Sequence, residues 1–169
     1  ELTKVLKEEG VDVDAMKAMF YNVLSANKHK KPKHPEIIEK RRRNDGNDTI
    51  VSLIESADSA KIFDRAIAKL STSNYEILGT EQIMQSILED ENSDITKILS
   101  EFGITAASFS EKLKEVSSRQ AEFGDKQIIF TPNALTVLMR ALDIVRESGN
   151  ASILPEHIIL GLLKSKKGI

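Results

Sequence analysis

The side chains that most often carry chemistry are few in this chain, and their spacing predicts neither a metal centre nor a cofactor site. His29 and His34 share one basic stretch with no third ligand at a spacing suited to a metal ion, whereas His157 stands in an apolar helical pattern. Cysteine is absent, so disulfides and thiolate ligands are excluded. We therefore expect no metal and no cofactor.

Carboxylates between Asp90 and Glu101 imitate part of a calcium-binding loop. The sixth position of such a loop needs glycine for a sharp turn, and here it is Ile95. The segment also coincides with a junction between two predicted helices. It is therefore interpreted as a helix junction and not as a calcium site.

No residue set typical of catalysis is present. The chain has no Gly-x-x-x-x-Gly-Lys-Ser/Thr loop for nucleotide phosphates and no Ser/His/Asp or Cys/His arrangement. The sequence therefore predicts a protein that is not an enzyme and that works by binding.

Charge gives no general attraction for nucleic acid, because 24 Lys and Arg stand against 26 Asp and Glu. Residues 25–50 form a basic, proline-bearing segment that includes Arg41 to Arg43. No aromatic side chains alternate with these cations, and acidic residues dilute them. We interpret the segment as a linker, mobile over residues 27–36. Nucleic-acid binding through residues 28–43 is the least favoured of three functional interpretations.

Membrane and targeting signals are also missing from the sequence. The longest apolar stretch, around Ile158 to Leu163, is far shorter than the ~20 residues that a membrane-spanning helix needs. No signal peptide is visible after Glu1. We expect a location in the cytoplasm, or in the interior of an organelle of bacterial origin, and no membrane partner.

Apolar residues recur at steps of three and four along most of the chain, which is typical of amphipathic helices. Two such faces consist of Ile62, Phe63, Ala66, Ile67 and Leu70, and of Leu135, Leu138, Met139, Leu142 and Val145. Thr131 and Pro132 suit a helix start, because the hydroxyl can accept from a free amide and proline needs no N–H there. No stretch alternates as a strand does. The predicted fold class is all-α, without a sheet of consequence.

An internal repeat has an offset of 75 residues, the distance from Glu81 to Glu156. A second match relates Ile95–Ile104 to Leu2–Val11. Both of these segments end in a glycine suited to a left-handed helix C-cap. The matches predict two pseudo-symmetric four-helix repeats in one helical domain.

Only the first predicted repeat is continuous in the sequence. It occupies residues 51–120, whereas the second has its first two helices in residues 121–169 and its last two in residues 1–24. Joining the C-terminal residues to the N-terminal ones restores the second repeat. Either the chain is circularly permuted or residues 1–24 end a preceding copy. We expect residues 1–24 to pack against residues 131–165.

Phe130–Ala134, Gly149 and Leu154–Leu163 follow a recognisable order. An aromatic-Thr-x-x-Ala opening and a glycine at the helix end precede a second helix that begins around Glu-His. Gly79–Ile83 matches the start of that second helix in the first repeat. This order resembles the repeat of the N-terminal domain of Clp-family protein unfoldases, and the resemblance covers nearly everything outside residues 25–50.

Three departures from the family pattern bear on its binding residues. Glu55-Ser56 stands in the first repeat where the aromatic-Thr pair is expected, and Gln82 stands there in place of His. Leu154-Pro155 replaces Gly-Thr in the second repeat. The resemblance is therefore carried over residue by residue.

The resemblance implies a non-catalytic domain that docks protein substrates or adaptors for a Clp ATPase or protease ring. In some members the glutamate of the Thr-Glu-His motif receives phosphorylated arginine. By position this role falls to Glu81 and, more weakly, to Glu156. The predicted binding residues are Glu81, Glu156, Thr80, Gly79, Phe130 and Thr131. Without the resemblance, both glutamates would be explained as surface carboxylates near the free N–H groups of a helix start.

A second interpretation assumes the same fold but a different function. The chain would then be a stand-alone accessory or regulatory subunit that docks on a Clp protease or ATPase ring and binds no substrate. Affinity for unfolded or arginine-modified peptide distinguishes the two interpretations.

Overall fold

The computed structural model describes residues 6–27, 59–72, 77–116, 129–150 and 152–164, and these ranges are mainly helical. The helices are α1 (Val13–Asn27), α2 (Ala60–Thr72), α3 (Thr80–Leu88), α4 (Asp94–Glu101), α5 (Ala106–Val116), α6 (Pro132–Ser148) and α7 (Pro155–Lys164). A helical turn at residues 6–8 precedes α1. The predicted all-α class is confirmed.

One short strand pairing was not predicted from the sequence. β1 (Ile77–Leu78) and β2 (Ile129–Phe130) run parallel, with Ile77 beside Ile129 and Leu78 beside Phe130. Two residues are too few to show the alternation that identifies a strand. The pairing matters because it holds the start of α3 beside the start of α6.

The ends of α6 confirm two predictions from local sequence. Thr131 Oγ1 accepts a hydrogen bond from the amide of Ala134 at 3.1 Å, and Pro132 occupies the first helical position. At the other end Gly149 is left-handed, with φ at 70°. Only glycine adopts that conformation without steric cost, so the helix stops there.

The two segments that matched around Gly103 and Gly10 end their helices in the same way. Each glycine has φ at 77°. The Gly103 amide donates to Ser100 O and the following amide to Leu99 O, both at 2.9 Å. The Gly10 amide and its successor make the equivalent bonds at 3.1 and 2.9 Å. The predicted left-handed C-caps are confirmed in both places.

Helix α7 lies at the centre of the described structure. Every residue from Glu156 to Leu163 is buried. α6 packs on α7, α1 packs on it as well, and α3 also contacts it. A helix that is enclosed on all sides needs an apolar sequence throughout, which explains why this helix shows no polar face.

Gly161 allows α6 and α7 to approach closely. A Cβ atom at this position would lie 2.6 Å from the carbonyl oxygen of Val137 and 3.4 Å from the amide of Ala141. Both are backbone atoms of α6, so neither can move alone. The absence of a side chain at Gly161 therefore sets the distance between the two helices.

Helix α1 belongs to the core although it begins the chain. Met16 and Phe20 have no exposed surface, and they share one apolar cluster with Ile159 and Leu163 of α7. The expected packing of the N-terminal helix against residues 131–165 is therefore observed for α1. The division into domains, including the role of residues 1–24 in a second repeat, stays a prediction.

The predicted linker overlaps the structure only at its start. α1 continues to Asn27, three residues beyond the predicted end at Leu24, because nothing in Ser25–Asn27 breaks a helix. The rest of the segment, with the predicted mobility beyond residue 27, lies outside the described residues.

Replacement of Phe20 by alanine tests the packing of α1. We expect Phe20→Ala to lower the free energy of unfolding by about 3–5 kcal/mol, the usual cost of removing a buried phenylalanine. Its neighbour Tyr21 is 37% exposed, so Tyr21→Ala serves as the control, with a loss of about 1 kcal/mol or less. Urea unfolding followed by circular dichroism measures both. Equal, small losses would contradict the packing of α1.

Replacement of Gly161 tests the close approach of α6 and α7. We expect Gly161→Ala to lower the free energy of unfolding by about 1–3 kcal/mol, because the clash with backbone outweighs the gain in helix propensity. The control is Ser86→Ala at the repeat-equivalent position of α3, where the buried hydroxyl makes no hydrogen bond within the described structure. That variant should be neutral or more stable. A stabilised Gly161→Ala protein would disprove the explanation.

Candidate functional site

Five of the six predicted binding residues meet where α3 and α6 begin. The pairing of Leu78 with Phe130 brings the two starts together, and the amide of Thr131 donates to Leu78 O at 3.0 Å. Gly79 and Thr80 follow Leu78 directly. The Glu81 site, as we call it, consists of Gly79, Thr80, Glu81, Phe130 and Thr131.

The Glu81 carboxylate folds back over the start of its helix. Thr80 Oγ1 donates to Glu81 Oε2 at 3.4 Å. A side chain at Gly79 would collide with the same carboxylate oxygen. A side chain at position 79 would therefore force the Glu81 and Gln82 side chains to move, whereas the backbone there, with φ at −99°, is open to any residue. The Glu81 side chain is half-buried in this position.

One of the amides that we expected to be free at this helix start is already bonded. The Gly79 amide donates to Gln82 Oε1 at 2.9 Å. Within the described structure, the amides of Thr80 and Glu81 make no hydrogen bond, as is usual for the first turn of a helix. The site therefore contains one partly exposed carboxylate and two unbonded backbone donors, of which the Thr80 amide belongs to a residue that is only 2% exposed.

Phe130 and Thr131 hold the site together from the α6 side. The Phe130 ring packs against Phe63, with 6.4 Å between ring centroids and 54° between ring planes. The Thr131 hydroxyl caps α6 through Ala134, as described above. Both residues remain partly exposed while they fix the position of β2 and α6 beside Leu78.

Glu156, the second predicted glutamate, is not on the surface. It is only 8% exposed, and the residue before it, Pro155, has no amide hydrogen to donate. The expectation of a surface carboxylate is wrong for Glu156, because α7 is enclosed by its neighbours, whereas Glu81 in the first turn of α3 stays partly exposed. The structure therefore leaves the Glu156 side chain little accessible.

Comparison with known proteins gives a family for this chain. The model of the Clp repeat (R) N-terminal domain matches residues 55–169, which is more than half of the chain. The chain belongs to this family. The match includes α2 to α7 and does not include α1.

Individual relatives of this Clp repeat domain are chloroplastic Clp proteins. A ClpA homolog of Brassica napus, an ATP-binding subunit of an ATP-dependent Clp protease, is 30% identical over 95 residues, or 56% of this chain. Chaperone protein ClpC1 of Arabidopsis thaliana is likewise 30% identical over 95 residues. The aligned part spans 11% and 10% of these relatives, so their whole activities are not carried over to this chain.

A buried histidine marks the start of α7 in this Clp repeat domain. His157 has no exposed surface, and its Nδ1 accepts from the Leu154 amide at 2.9 Å. Its Nε2 lies 3.2 Å from Ser148 Oγ, and that hydroxyl donates to Val145 O at 3.3 Å. With Nδ1 as acceptor, the proton is on Nε2. This chain of hydrogen bonds ties the end of α6 to the start of α7.

Gln82 and His157 have the same helix-capping role in the two halves of the Clp repeat domain. Each is the third residue of its helix, and each accepts from the backbone amide before the helix at 2.9 Å. This is one half of a capping box. Glutamine at position 82 therefore keeps the capping hydrogen bond that the family's histidine would make. His157 is a packed structural residue.

Acidic residues in the calcium-like stretch are paired with cations of the Clp repeat domain. Asp90 lies 3.4 Å from Arg65, and Asp94 lies 3.2 Å from Lys97. Across the described ranges, no group of three or more His, Asp or Glu is placed to hold a metal ion. Among the same residues, no helix is both long and apolar enough to cross a bilayer.

The stability of the domain should depend on the protonation of His157. Burial lowers the pKa of this histidine from 6.5 to about 4, so unfolding takes up a proton between these values. The stabilisation is complete above about pH 6.5 and is lost as the pH falls toward 4. At about 1.4 kcal/mol per pKa unit, it amounts to about 3 kcal/mol.

The variant His157→Gln isolates this dependence, because glutamine makes the equivalent hydrogen bond at position 82. Both proteins are unfolded with urea between pH 7 and pH 4. The carboxylates contribute equally to both unfolding free energies, so their contribution cancels when one is subtracted from the other. As the pH falls, we expect the unfolding free energy of the unmutated protein to decrease by about 2–3 kcal/mol more than that of His157→Gln. Parallel curves would show that the histidine is not buried in its neutral form.

Proposed function

We propose that this chain is a non-catalytic protein-binding domain that recruits substrates or adaptors for a Clp ATPase. Family membership supports the proposal, together with relatives named as a Clp ATP-binding subunit and a Clp chaperone. The sequence also lacks a nucleotide-binding loop of its own. Binding is therefore the contribution that this domain can make.

The arrangement at Glu81 carries the proposal. A half-buried carboxylate stands beside two amides that make no hydrogen bond within the described structure. Charge-assisted hydrogen bonds from a cationic side chain to such a carboxylate are among the stronger contacts in proteins. The site therefore suits an arginine-bearing segment of a client protein.

Phosphoarginine is a ligand that would use both the carboxylate and the two unbonded amides of this site. Glu81 would accept from the guanidinium, and the amides of Thr80 and Glu81 would donate to the phosphate at the positive end of α3. The first turns of α3 and α6 contain no lysine or arginine. The phosphate then has only amide donors, so we expect a modest preference for phosphoarginine over arginine.

We propose a weaker role for Glu156. The carboxylate is buried and Pro155 removes one donor, so a ligand there would have to displace packed side chains. The Glu81 site is therefore expected to account for binding in solution. Substitution of Glu156 is expected to change the free energy of unfolding more than the affinity for peptide.

Calorimetric titration of phosphoarginine and arginine peptides tests the function. We expect Glu81→Ala to weaken phosphoarginine binding by about 1.5–3 kcal/mol, or roughly 10- to 150-fold in Kd, since a charged hydrogen bond is lost. The matched control is Glu91→Ala, which removes the same charge from an exposed turn and should leave Kd unchanged.

Two outcomes would overturn the proposal. One is an absence of binding to the unmutated chain, and the other is an equal Kd for the Glu81 and Glu91 variants. If the unmutated chain nevertheless co-purifies with a Clp ring, the accessory-subunit interpretation replaces it.

A further inference from the structure

We propose that Gln82 determines the ligand specificity of the Glu81 site. Its side-chain NH2 group donates to the oxyanion of a ligand whose cationic group is held by the Glu81 carboxylate. The ligand class is therefore a cation that carries an anionic group beside it, as phosphoarginine does, and not a plain cation such as arginine. This inference rests on the proposed function, since it concerns the same site.

The orientation of the Gln82 side chain is set by the cap that it makes. Its Oε1 accepts a hydrogen bond from the Gly79 amide at 2.9 Å. Because a side-chain amide is planar, a fixed oxygen also restricts the position of Nε2 in the same group. An accepted hydrogen bond makes that NH2 group a better donor, since hydrogen bonds in a chain polarise one another. The cap therefore uses one backbone donor and provides a side-chain donor in its place.

The Nε2 donor of Gln82 is unused within the described structure. The Gln82 side chain makes no hydrogen bond there besides its cap, and its Nε2 atom is not buried. The residue is partly exposed, so solvent can reach this NH2 group. An amide nitrogen has two hydrogens to donate, and both remain available to a ligand.

The Gln82 amide and the Glu81 carboxylate lie on the same side of the helix start. A Cβ atom on Gly79 would clash with both Glu81 Oε2 and Gln82 Oε1, so the two side chains converge on one point. Thr80 Oγ1 donates to that carboxylate oxygen at 3.4 Å and helps to fix it. An acceptor for a cation and a donor for an anion are thus held next to each other.

Accessibility also favours Gln82 over the backbone donors of this helix start. Thr80 is only 2% exposed, so a phosphate reaches its amide less readily than it reaches the Gln82 side chain. The first turns of α3 and α6 contain no lysine or arginine that could bind the phosphate instead. Gln82 is therefore the neutral side-chain donor that stands next to the carboxylate and can distinguish a ligand with an oxyanion from one without.

The variant Gln82→Glu tests the inference, because it keeps the shape and the cap but replaces the donor with a charged acceptor. Glutamate is a preferred third residue of a capping box, so it can still accept from the Gly79 amide. Calorimetric titration measures the Kd of a phosphoarginine peptide and of the matching arginine peptide. We expect the first Kd to rise at least about tenfold, since a charge-assisted hydrogen bond is replaced by repulsion. The Kd of the arginine peptide should stay equal or decrease.

Two further variants separate the donor from general charge and from the cap. Asn133→Asp makes the same change from amide to carboxylate at an exposed position in the first turn of α6, and it should alter the ratio of the two Kd values less than about threefold. Gln82→His at pH 8 keeps a capping acceptor and a second N–H, as in His157, so it should keep the preference for phosphoarginine. Urea unfolding should show Gln82→Glu to be at least as stable as the unmutated protein.

Failure of the inference can be distinguished from failure of the proposed function. If neither peptide binds the unmutated chain, the function is overturned and the inference with it. If Glu81→Ala weakens binding but Gln82→Glu leaves the Kd ratio unchanged, only the inference is overturned. The same holds if the unmutated chain shows no preference for phosphoarginine, or if Asn133→Asp or Gln82→His changes the ratio as much as Gln82→Glu does.

Discussion

The enclosure of α7 is the constraint on which the rest of this domain depends. Gly161 lets α6 lie against its backbone, and α1 and α3 contact it as well. Because no side of this helix faces solvent, the free backbone groups at its ends need hydrogen-bond partners from the protein. His157 supplies this at the start of the helix, where its two nitrogens bond the Leu154 amide and Ser148. The apolar sequence of α7 and its buried histidine thus have one cause.

Divergence between the two halves has given their equivalent helix starts different properties. Gly79 leaves space into which the Glu81 carboxylate folds, and Thr80 donates to it. At the equivalent start of α7, Leu154 and Pro155 remove that space and one amide donor. Enclosure then buries Glu156. Of the two equivalent glutamates, only Glu81 therefore keeps a partly exposed carboxylate, although the repeat pattern suggested two alike.

Local signals in the sequence predicted what local physics determines. The capping threonine, the left-handed glycines and the apolar spacing gave the class of fold and the positions of most helices, because each acts within one or two turns. The pairing of Leu78 with Phe130 and the burial of Glu156 depend on which helices surround a residue. No spacing along the chain encodes that, so the assembly of the Glu81 site from two distant segments required the structure.

The proposed binding at Glu81 has a consequence for how such a domain could act. One charged contact beside two amides supports only modest affinity, and a client would dissociate quickly. Presentation of several copies on one assembly raises the apparent affinity without any new contact, provided that the sites can be reached together.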